Sequence, residues 1–372
     1  MKIKRSAVVS TVVSVLILVF ASAYFSVGLP VLNALINPLP QEGHTNSSGV
    51  VISGDILHLD FGDDSNKETL APNATMPPAV EITPGGQVGE IQQVEGRQVI
   101  FKPGTKNVLL LGYNSDEGLC DSIFILNIDE ETKAMKLVSI PRDAYVPYSA
   151  EIQSIMKQKN YYNSPGSFKI NAATYMGNNI VKYEGGKFGN SGIDFLCSII
   201  DNLLPNGCKI DEYVYVDFDG FMDIIDTVGG VEVTVQENMY SRSGELMLAK
   251  GKQRLNARQA LFYVRYRTRI NADGTVDGGG GDNFRKVNQV GFLVEISSQI
   301  ITKENMKLNK VTSMMETLKQ SVFHSFGDLT KLQEYIDIGV DFANGKYTIA
   351  PYVVVGPEID PMGDKICYVK IY

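Results

Sequence analysis

Short apolar runs alternate with helical patterns from about Val99 to the end of the chain. Each run is rich in Val, Ile, Leu or Tyr and is bounded by glycine, proline or polar residues, which is the pattern of a buried strand. Strands buried on both faces must be covered by other elements, so these runs limit the chain to layered folds. The predicted strands are 107–112, 122–128, 136–140, 213–218 and 231–235, and segments 347–355 and 366–371 could close the sheet.

Amphipathic helical patterns lie between and after these strands. Ile193–Leu204 repeats apolar residues at helical spacing and therefore has one apolar face. Strands interleaved with helices predict an α/β domain with a mixed central sheet flanked by helices on both faces. The other predicted helices are 221–228, 257–265 with Asn256 as its N-cap, 284–301, 305–320 and 329–340.

A charge-free segment, Ser6–Leu29, follows the basic residues Lys2, Lys4 and Arg5. This length of apolar sequence is enough for one transmembrane helix. Because positive flanking charges stay in the cytoplasm, the rest of the chain is expected outside the membrane. A cleaved signal peptide is the alternative, since Ala21–Ala23 resembles a cleavage site. We favour a retained anchor because the apolar residues continue beyond that site.

Proline, glycine and polar residues are frequent between this segment and the first predicted strand. Such a composition is typical of a linker rather than of a packed core. The chain therefore divides into a cytoplasmic end (1–5), a single-pass transmembrane anchor (6–29), an extracytoplasmic stalk (30–98) and one folded domain (99–372).

The charge balance and the cysteines argue against two kinds of protein. The 372 residues carry a formal net charge of −8 and contain no long basic run, so binding of nucleic acid is not expected. The four cysteines form no Cys-x-x-Cys pair, which disfavours a zinc or thioredoxin-like site. Disulfides and buried free thiols both remain open for them.

Arg142 and Asp143 come directly after a predicted strand and Pro141. Binding sites in α/β proteins form beyond the ends of strands. The planar guanidinium group of arginine suits phosphate oxygens, so this turn is a candidate anion site. A surface ion pair within the turn is the alternative interpretation.

Arg265 and Arg267 are two residues apart at the end of a predicted helix. If the helix ends there, both side chains can enter one pocket, with Tyr263 and Tyr266 as its walls. The alternative is a basic helix C-terminus that complements the helix dipole without any ligand.

Asp282, Arg285 and Gln289 form one stripe near the start of the long predicted helix at 284–301. The positive end of a helix with an arginine beside it favours an anion, and the run Gly278–Gly281 leaves the approach open. A capped helix with a solvated charged face explains the same pattern equally well.

The loop between the first two predicted strands carries Asn114, Asp116 and Asp121. Mg²⁺ and Mn²⁺ are usually held by one or two carboxylates together with phosphate oxygens. The loop is thus a candidate metal site, although acidic residues in a surface loop are more often simply solvated.

Together, these motifs resemble the LytR–CpsA–Psr family of bacterial cell-envelope proteins. The resemblance covers about residues 99–301 and depends on the order of several motifs. They are Asn107–Gly112, Asp121–Ser122, Ser139–Asp143, Lys169–Ala173, Val214–Gly230, Gln259–Leu261, Arg265-x-Arg267 and Asp282…Arg285…Gln289.

The resemblance implies an enzyme that transfers a glycopolymer, such as teichoic acid or capsular polysaccharide, from a polyprenyl-pyrophosphate carrier to peptidoglycan. A phosphodiester bond would form in this phosphotransferase reaction. The implied partners are the lipid-linked polymer, the peptidoglycan acceptor and the membrane that holds the anchor. The domain would then work on the outer side of the cell membrane.

The resemblance also implies roles for individual residues. Asp121 and Asn114 would hold Mg²⁺ or Mn²⁺. The polyprenyl tail would lie in an apolar groove lined by helix residues such as Ile193, Leu196 and Ile200. The residues implied to bind the pyrophosphate are Arg142, Lys169, Arg265, Arg267, Arg285 and Gln289. Those implied to act in catalysis are Arg142, Asp143, Arg265, Arg267 and Asp282, of which Asp143 or Asp282 would orient arginines or serve as a base.

Three positions depart from the family pattern. Asn114 stands where the family usually has aspartate, and Leu119 and Asn288 stand where it often has arginine. Asparagine offers an oxygen but no charge, so a weaker metal site is expected. Two alternatives to the transferase therefore remain: a polyprenyl-pyrophosphate-binding protein with little catalysis, and a pyrophosphate hydrolase.

Overall fold

A seven-stranded sheet forms the centre of the protein. The computed structural model describes residues 59–60, 90–114, 118–204, 207–276, 282–300, 322–326, 329–363 and 365–372. The strands of the sheet are β1 (Gln92–Glu95), β2 (Lys106–Asn114), β3 (Leu119–Asp129), β4 (Ala134–Ile140), β5 (Glu212–Val216), β10 (Val322–His324) and β11 (Thr348–Val355). Their order is β1-β11-β4-β3-β2-β5-β10. The predicted mixed α/β architecture is confirmed, because parallel and antiparallel pairs both occur in this sheet.

Both faces of the sheet are buried, which explains why its strands are apolar without interruption. In β2, Leu109 and Leu111 belong to one hydrophobic core, whereas Val108 and Leu110 belong to the other. The first core is covered by helices α1 (Ala150–Gln158) and α2 (Ser191–Leu203). The second is covered by α3 (Phe218–Thr227), α5 (Asp282–Ile300) and α6 (Leu329–Ala343).

A third, smaller core lies beside the sheet. It is built from Ala260 and Tyr263 of helix α4 (Ala257–Arg265) and from the two-stranded sheet of β6 (Val231–Val235) and β9 (Gly251–Leu255). Next to them, β7 (Met239–Tyr240) and β8 (Leu246–Leu248) form a hairpin. This unit packs with α4 against helices α3 and α5.

The strand directions bring the candidate residues to one edge of the sheet. β2 is parallel to β5 and antiparallel to β3, and β3 is antiparallel to β4. The carboxyl ends of β2, β4 and β5 therefore meet the start of β3. Polar residues on the segments that leave these ends must lie close together, as is usual for the sites of α/β proteins.

The structure corrects two predictions about the fold and adds one helix that was not predicted. Gln92–Glu95, which was placed in the stalk, is β1 and pairs in parallel with β11, so the folded domain begins before Val99. Segment 366–371 contributes only β13 (Tyr368–Val369), which pairs with β12 (Glu358–Ile359) and does not close the central sheet. Helix α1 was not predicted, because residues 150–158 have few strongly apolar positions.

The predicted anchor at 6–29 and the predicted helix at 305–320 lie outside the described residues. Among the helices that the structure does describe, none is both long and apolar enough to cross a membrane.

Candidate functional site

Arg142 lies in the turn after β4, at the shared edge of the sheet. Its Nη1 donates to Oδ1 of Asp121, which comes from the first residues of β3. Both side chains are largely shielded, with relative exposures of 18% and 15%. The ion pair joins the two motifs that sequence analysis had linked to phosphate and to metal.

Asp143 and Lys169 stand behind Arg142. Nζ of Lys169 is 2.7 Å from Oδ1 of Asp143, and Nε of Arg142 is 3.9 Å from the same oxygen. Neither residue lines the cavities described below. Lys169 and Asp143 therefore lie behind Arg142 and contact each other, and the pyrophosphate contact that the resemblance implies for Lys169 stays a prediction.

The turn that carries Arg142 is fixed from two sides. The carbonyl oxygen of Arg142 accepts a hydrogen bond from the N–H of Asn171 at 3.1 Å. The carbonyl oxygen of Asp143 accepts one from the N–H of Val369 at 2.9 Å. Strand β13, which was expected to close the sheet, instead supports this turn.

Arg265 and Arg267 enter one cavity because α4 ends between them. Arg265 is the last residue of the helix and Tyr266 is its C-cap. The guanidinium carbon of Arg265 lies 4.3 Å from the ring centre of Phe218, a cation–π distance. Tyr266 lines the cavity as expected, whereas Tyr263 is buried in the third core and does not.

Gln289 of α5 binds protein groups through its amide. Its Nε2 donates to Oγ of Ser122 at 2.9 Å and to the carbonyl of Val264 at 3.0 Å. A Cβ at Gly112 would lie 3.1 Å from Cβ of Ser122, so glycine keeps room for this contact. Gln289 thereby ties β3 to the end of α4, next to Arg265.

The remaining predicted residues divide into those at the cavity and those away from it. Arg285 of α5 and Asn114 at the end of β2 are buried and both face the polar cavity. Asn288 is buried too but does not contribute to either cavity wall. Asp282 begins α5, and its side chain lies outside what the structure describes.

A polar cavity of about 780 Å³ collects these side chains. Among the described residues, one carboxylate and six arginines line it. The carboxylate is Asp121, and the arginines are Arg142, Arg242, Arg258, Arg265, Arg267 and Arg285. So strong an excess of positive charge, in a chain whose net charge is −8, indicates an anionic ligand.

An apolar pocket of about 170 Å³ opens from the same place. It lies between the central sheet and helices α3, α4 and α5, with Leu110, Phe221 and Phe292 among its walls. The two cavities share Asp121, Leu261, Arg265 and Arg285. The site therefore suits a ligand with a highly charged group joined to an apolar one.

The predicted lining of the lipid groove was wrong. Ile193, Leu196 and Ile200 of α2 are at most 1% exposed and belong to the core on the opposite face of the sheet. Their helical spacing marks a core-facing stripe, and sequence could not tell which face of the sheet that stripe would cover.

Arg242 and Arg258 were missed by sequence analysis. For Arg258 a signal existed, because Arg258, Leu261 and Arg265 follow each other at i, i+3 and i+7 on one helix and all line the polar cavity. Arg242 lies in the β7–β8 turn, and nothing in the sequence indicated that this hairpin would reach the site.

The donor set for a divalent cation is small. Asp121 and Asn114 both face the cavity and offer one carboxylate and one amide oxygen. Within the described residues no group of three or more His, Cys, Asp or Glu side chains is arranged for a metal ion. This set fits Mg²⁺ or Mn²⁺ when phosphate oxygens of a ligand complete the coordination.

Cys120, which precedes Asp121 in the sequence, is not a candidate nucleophile. Cys120 is fully buried, and this burial raises the pKa of its thiol to about 12. All four cysteines are free, and the thiol of Cys120 stays protonated at neutral pH.

Comparison with protein families identifies one match. The model of the LytR_cpsA_psr family matches residues 86–344. Residues 86–91, which the match includes, precede the strand β1 that had been assigned to the stalk.

The curated relatives that this chain resembles carry functional names. The polyisoprenyl-teichoic acid–peptidoglycan teichoic acid transferase TagV of Bacillus subtilis (strain 168) is 29% identical over 189 residues, which is 48% of this chain and 41% of TagV. The transferase of the same description named TagU, from Oceanobacillus iheyensis, is 30% identical over 231 residues, 61% of this chain and 62% of TagU. The matches thus span roughly half the length of these relatives.

A solved structure supports the same fold. The crystal structure of TagV of Bacillus subtilis is 25% identical, covers 73% of this chain and 92% of that chain, and has a TM-score of 0.51.

Proposed function

This chain belongs to the LytR_cpsA_psr family, and from that premise we propose that it transfers a glycopolymer from a polyprenyl-pyrophosphate carrier to peptidoglycan, forming a phosphodiester bond. The observation that carries the proposal is the shared wall of the two cavities. A lipid-linked pyrophosphate has a charged group that suits the arginine-lined cavity and an apolar tail that suits the pocket beside it.

The tail is proposed to enter the apolar pocket between the sheet and helices α3 and α4. Phe218 and Phe221 of α3 and Val264 of α4 supply part of that wall. Transfer of apolar surface out of water stabilises such a complex by about 25 cal/mol per Å². This placement replaces the groove on α2 that sequence had suggested.

The pyrophosphate is proposed to lie against Arg142, Arg265, Arg267 and Arg285. Catalysis of phosphoryl transfer consists mainly of positioning and charge stabilisation, which fixed arginines provide. A hydroxyl group of peptidoglycan attacks the phosphorus that carries the polymer, and the bond from that phosphorus to the bridging oxygen breaks. The lipid leaves as its monophosphate, and the new bond is the phosphodiester.

The hydroxyl proton needs an acceptor. Asp143 is held by Lys169 behind Arg142, away from the cavity walls. Asp282 stays the candidate base, because it begins the same helix that brings Arg285 to the cavity.

A divalent cation is proposed at Asp121 and the amide oxygen of Asn114. When bound, it would neutralise charge on the phosphate oxygens. Because Asp121 also binds Arg142, the carboxylate would serve both the cation and the arginine.

The domain is proposed to work outside the cell membrane. The basic residues Lys2, Lys4 and Arg5 before the apolar segment 6–29 support this orientation, because positive flanks stay in the cytoplasm.

Substitution of the arginines tests the transfer. We expect Arg142→Ala and Arg265→Ala each to lower the rate of polymer attachment at least about a hundredfold, because each removes charge stabilisation at the pyrophosphate. Arg97→Ala, which removes an exposed arginine outside the site, is the matched control and should leave the rate of polymer attachment unchanged. Attachment that persists in both active-site variants, in cells without a related gene, would refute the proposal.

One observation favours a second candidate, a lipid-pyrophosphate-binding protein with little turnover. Asp121 is the one carboxylate among the described cavity residues, and it is already paired with Arg142. Measured Mg²⁺-dependent turnover of a lipid-pyrophosphate donor that disappears in Asp121→Ala would exclude this candidate.

A further inference from the structure

Two of the arginines in the polar cavity, Arg242 and Arg258, belong to none of the motifs used above. Both are exposed, and neither forms an ion pair with any carboxylate in the part of the chain that the structure describes. Their charges are therefore available to a ligand.

The turn that carries Arg242 has a defined backbone. N–H of Ser241 donates to the carbonyl of Glu245 at 2.8 Å, and N–H of Gly244 donates to the carbonyl of Ser241 at 2.9 Å. A Cβ at Gly244 would lie 2.8 Å from the carbonyl oxygen of Ala272, so the turn packs closely on the neighbouring loop. Arg242 thus starts from a fixed backbone, which lowers the entropic cost of binding.

Arg258 lies at the N-terminal end of α4, where a positive charge destabilises the helix. It is the second residue of α4, at the positive end of the helix dipole, and that first turn contains no acidic residue. A cation there is electrostatically unfavourable for the helix. The capping box of Asn256 and Gln259 would hold the helix without Arg258, so local stability does not explain this arginine.

The cavity is also larger than a pyrophosphate needs. Its volume of about 780 Å³ lies in the range of about 300–1,000 Å³ of sites that enclose a whole small molecule. Tyr240, Phe262 and Tyr266 line it together with the arginines, and their ring faces suit the apolar faces of sugars.

We propose that Arg242 and Arg258 form a second anion subsite, which binds a phosphodiester group within the glycopolymer itself, beyond the pyrophosphate. This inference rests on the proposed transferase function and names the class of polymer that the site prefers. Arginine favours phosphate because its planar fork donates two parallel hydrogen bonds and never loses its charge. A neutral polysaccharide would leave both arginines without a partner.

Two matched donor analogues test the subsite. Both carry the same short lipid, pyrophosphate and first two sugars, and they continue either as a polyol-phosphate oligomer or as a neutral oligosaccharide of equal length. Their dissociation constants are measured by calorimetry with the full chain. We expect the wild-type protein to bind the phosphate-bearing analogue about tenfold more tightly, as two exposed charge-assisted contacts provide.

The double variant Arg242→Gln/Arg258→Gln should lose this preference. Lys250→Gln, which removes an exposed cation nearby that does not line the cavity, should keep it. Circular dichroism and the melting temperature establish that each variant is folded, and Arg258→Gln alone serves if the double variant is not. A wild-type protein without the preference, or a folded double variant that retains it, overturns the inference.

The same experiment separates the subsite from the transferase proposal and from the acceptor. If the protein shows the arginine-dependent preference in binding but transfers neither analogue, the subsite is supported and the proposed transferase function is wrong. If the protein transfers both analogues with equal efficiency, the transferase function is supported and the subsite is wrong. If the double variant weakens binding of a soluble peptidoglycan fragment but not of the phosphate-bearing analogue, the arginines serve the acceptor and the inference is wrong.

Discussion

At the scale of single residues, the charge of the site is set by one carboxylate and six arginines among the described residues of the polar cavity. Asp121 must neutralise Arg142 and is also the proposed ligand of a divalent cation. Asn114 stands beside it in the cavity and brings an oxygen without a charge. The strength of metal binding should therefore respond strongly to one added carboxylate.

Asn114→Asp should tighten binding of Mn²⁺ in the presence of pyrophosphate by at least about tenfold, because the added charge lies next to Asp121. Calorimetric titration of Mn²⁺ measures the change. Asn179→Asp is the control, since it adds the same charge at an exposed asparagine that lines neither cavity. Equal affinity in the wild-type protein and the Asn114 variant would remove Asn114 from the proposed metal site.

Lys169 gives a second prediction at the residue scale. Since Nζ of Lys169 lies 2.7 Å from the Asp143 carboxylate, we expect Lys169→Met to act through Asp143 and to lower turnover about tenfold, with a smaller effect on KM. Lys169→Arg should restore part of the rate.

A double-mutant cycle with Asp143→Asn is the measurement that decides the role of Lys169. If Lys169 positions Arg142, the two substitutions are non-additive, because each removes the same ion pair. Additive effects, with weaker pyrophosphate binding in Lys169→Met alone, would support the direct contact that the sequence predicted.

At the scale of elements, the edges of the sheet explain what local pattern could not show. β1 and β10 are edge strands of four and three residues, too short for a clear period-2 pattern. They are recognisable as strands because β11 and β5 pair with them. By contrast, Asn256 caps α4 as predicted, and its Oδ1 accepts a hydrogen bond from the N–H of Gln259, since capping depends on neighbours in the sequence.

The stability of the domain should depend on pH through His324 of strand β10. Burial lowers the pKa of His324 to about 4, whereas an unfolded histidine has a pKa near 6.5. The unfolded state therefore binds the proton first, and the free energy of unfolding should fall as the pH falls from about 6.5 towards 4.

Chemical denaturation at pH 7 and pH 5 checks this expectation. We expect the wild-type protein to lose up to about 2 kcal/mol more than His324→Phe over this interval, because one shifted pKa unit corresponds to about 1.4 kcal/mol. The same loss in the variant would assign the acid sensitivity to other groups.

At the scale of the whole molecule, the folded domain needs the segment that resembles a linker. Val94 of β1 is 1% exposed and packs in the first core. A Cβ at Gly96 would overlap the carbonyl of Ile371, so this segment also touches the C-terminal part of the chain. The domain is closed by contacts between its two distant ends.

A chain that begins at residue 99 should therefore be less stable than one that begins at residue 86. Loss of β1 removes Val94 from the first core and exposes the edge of β11, and the burial of one valine alone accounts for about 1.5–3 kcal/mol. Thermal unfolding of the two chains, with a third that begins at residue 90 as the control, measures the difference. If all three melt at the same temperature, β1 does not contribute to the stability of the domain.

The sequence by itself determined the alternation of strands and helices, the arginine motifs and the end of α4, because these depend on residues close together in the chain. Arg142, Asp121, Arg265 and Arg285 could be named from their motifs, and the structure brings them to one cavity. The family match agrees with the resemblance those motifs implied.

Only the tertiary structure decided which face of the sheet carries the apolar pocket and which arginines complete the polar cavity. Helical spacing shows that α2 has an apolar stripe, but either face of a doubly covered sheet can receive such a stripe. Arg242 reaches the site because a distant hairpin packs on the loop after α4. Such contacts between separate segments depend on the packing of the whole chain, which no local pattern records.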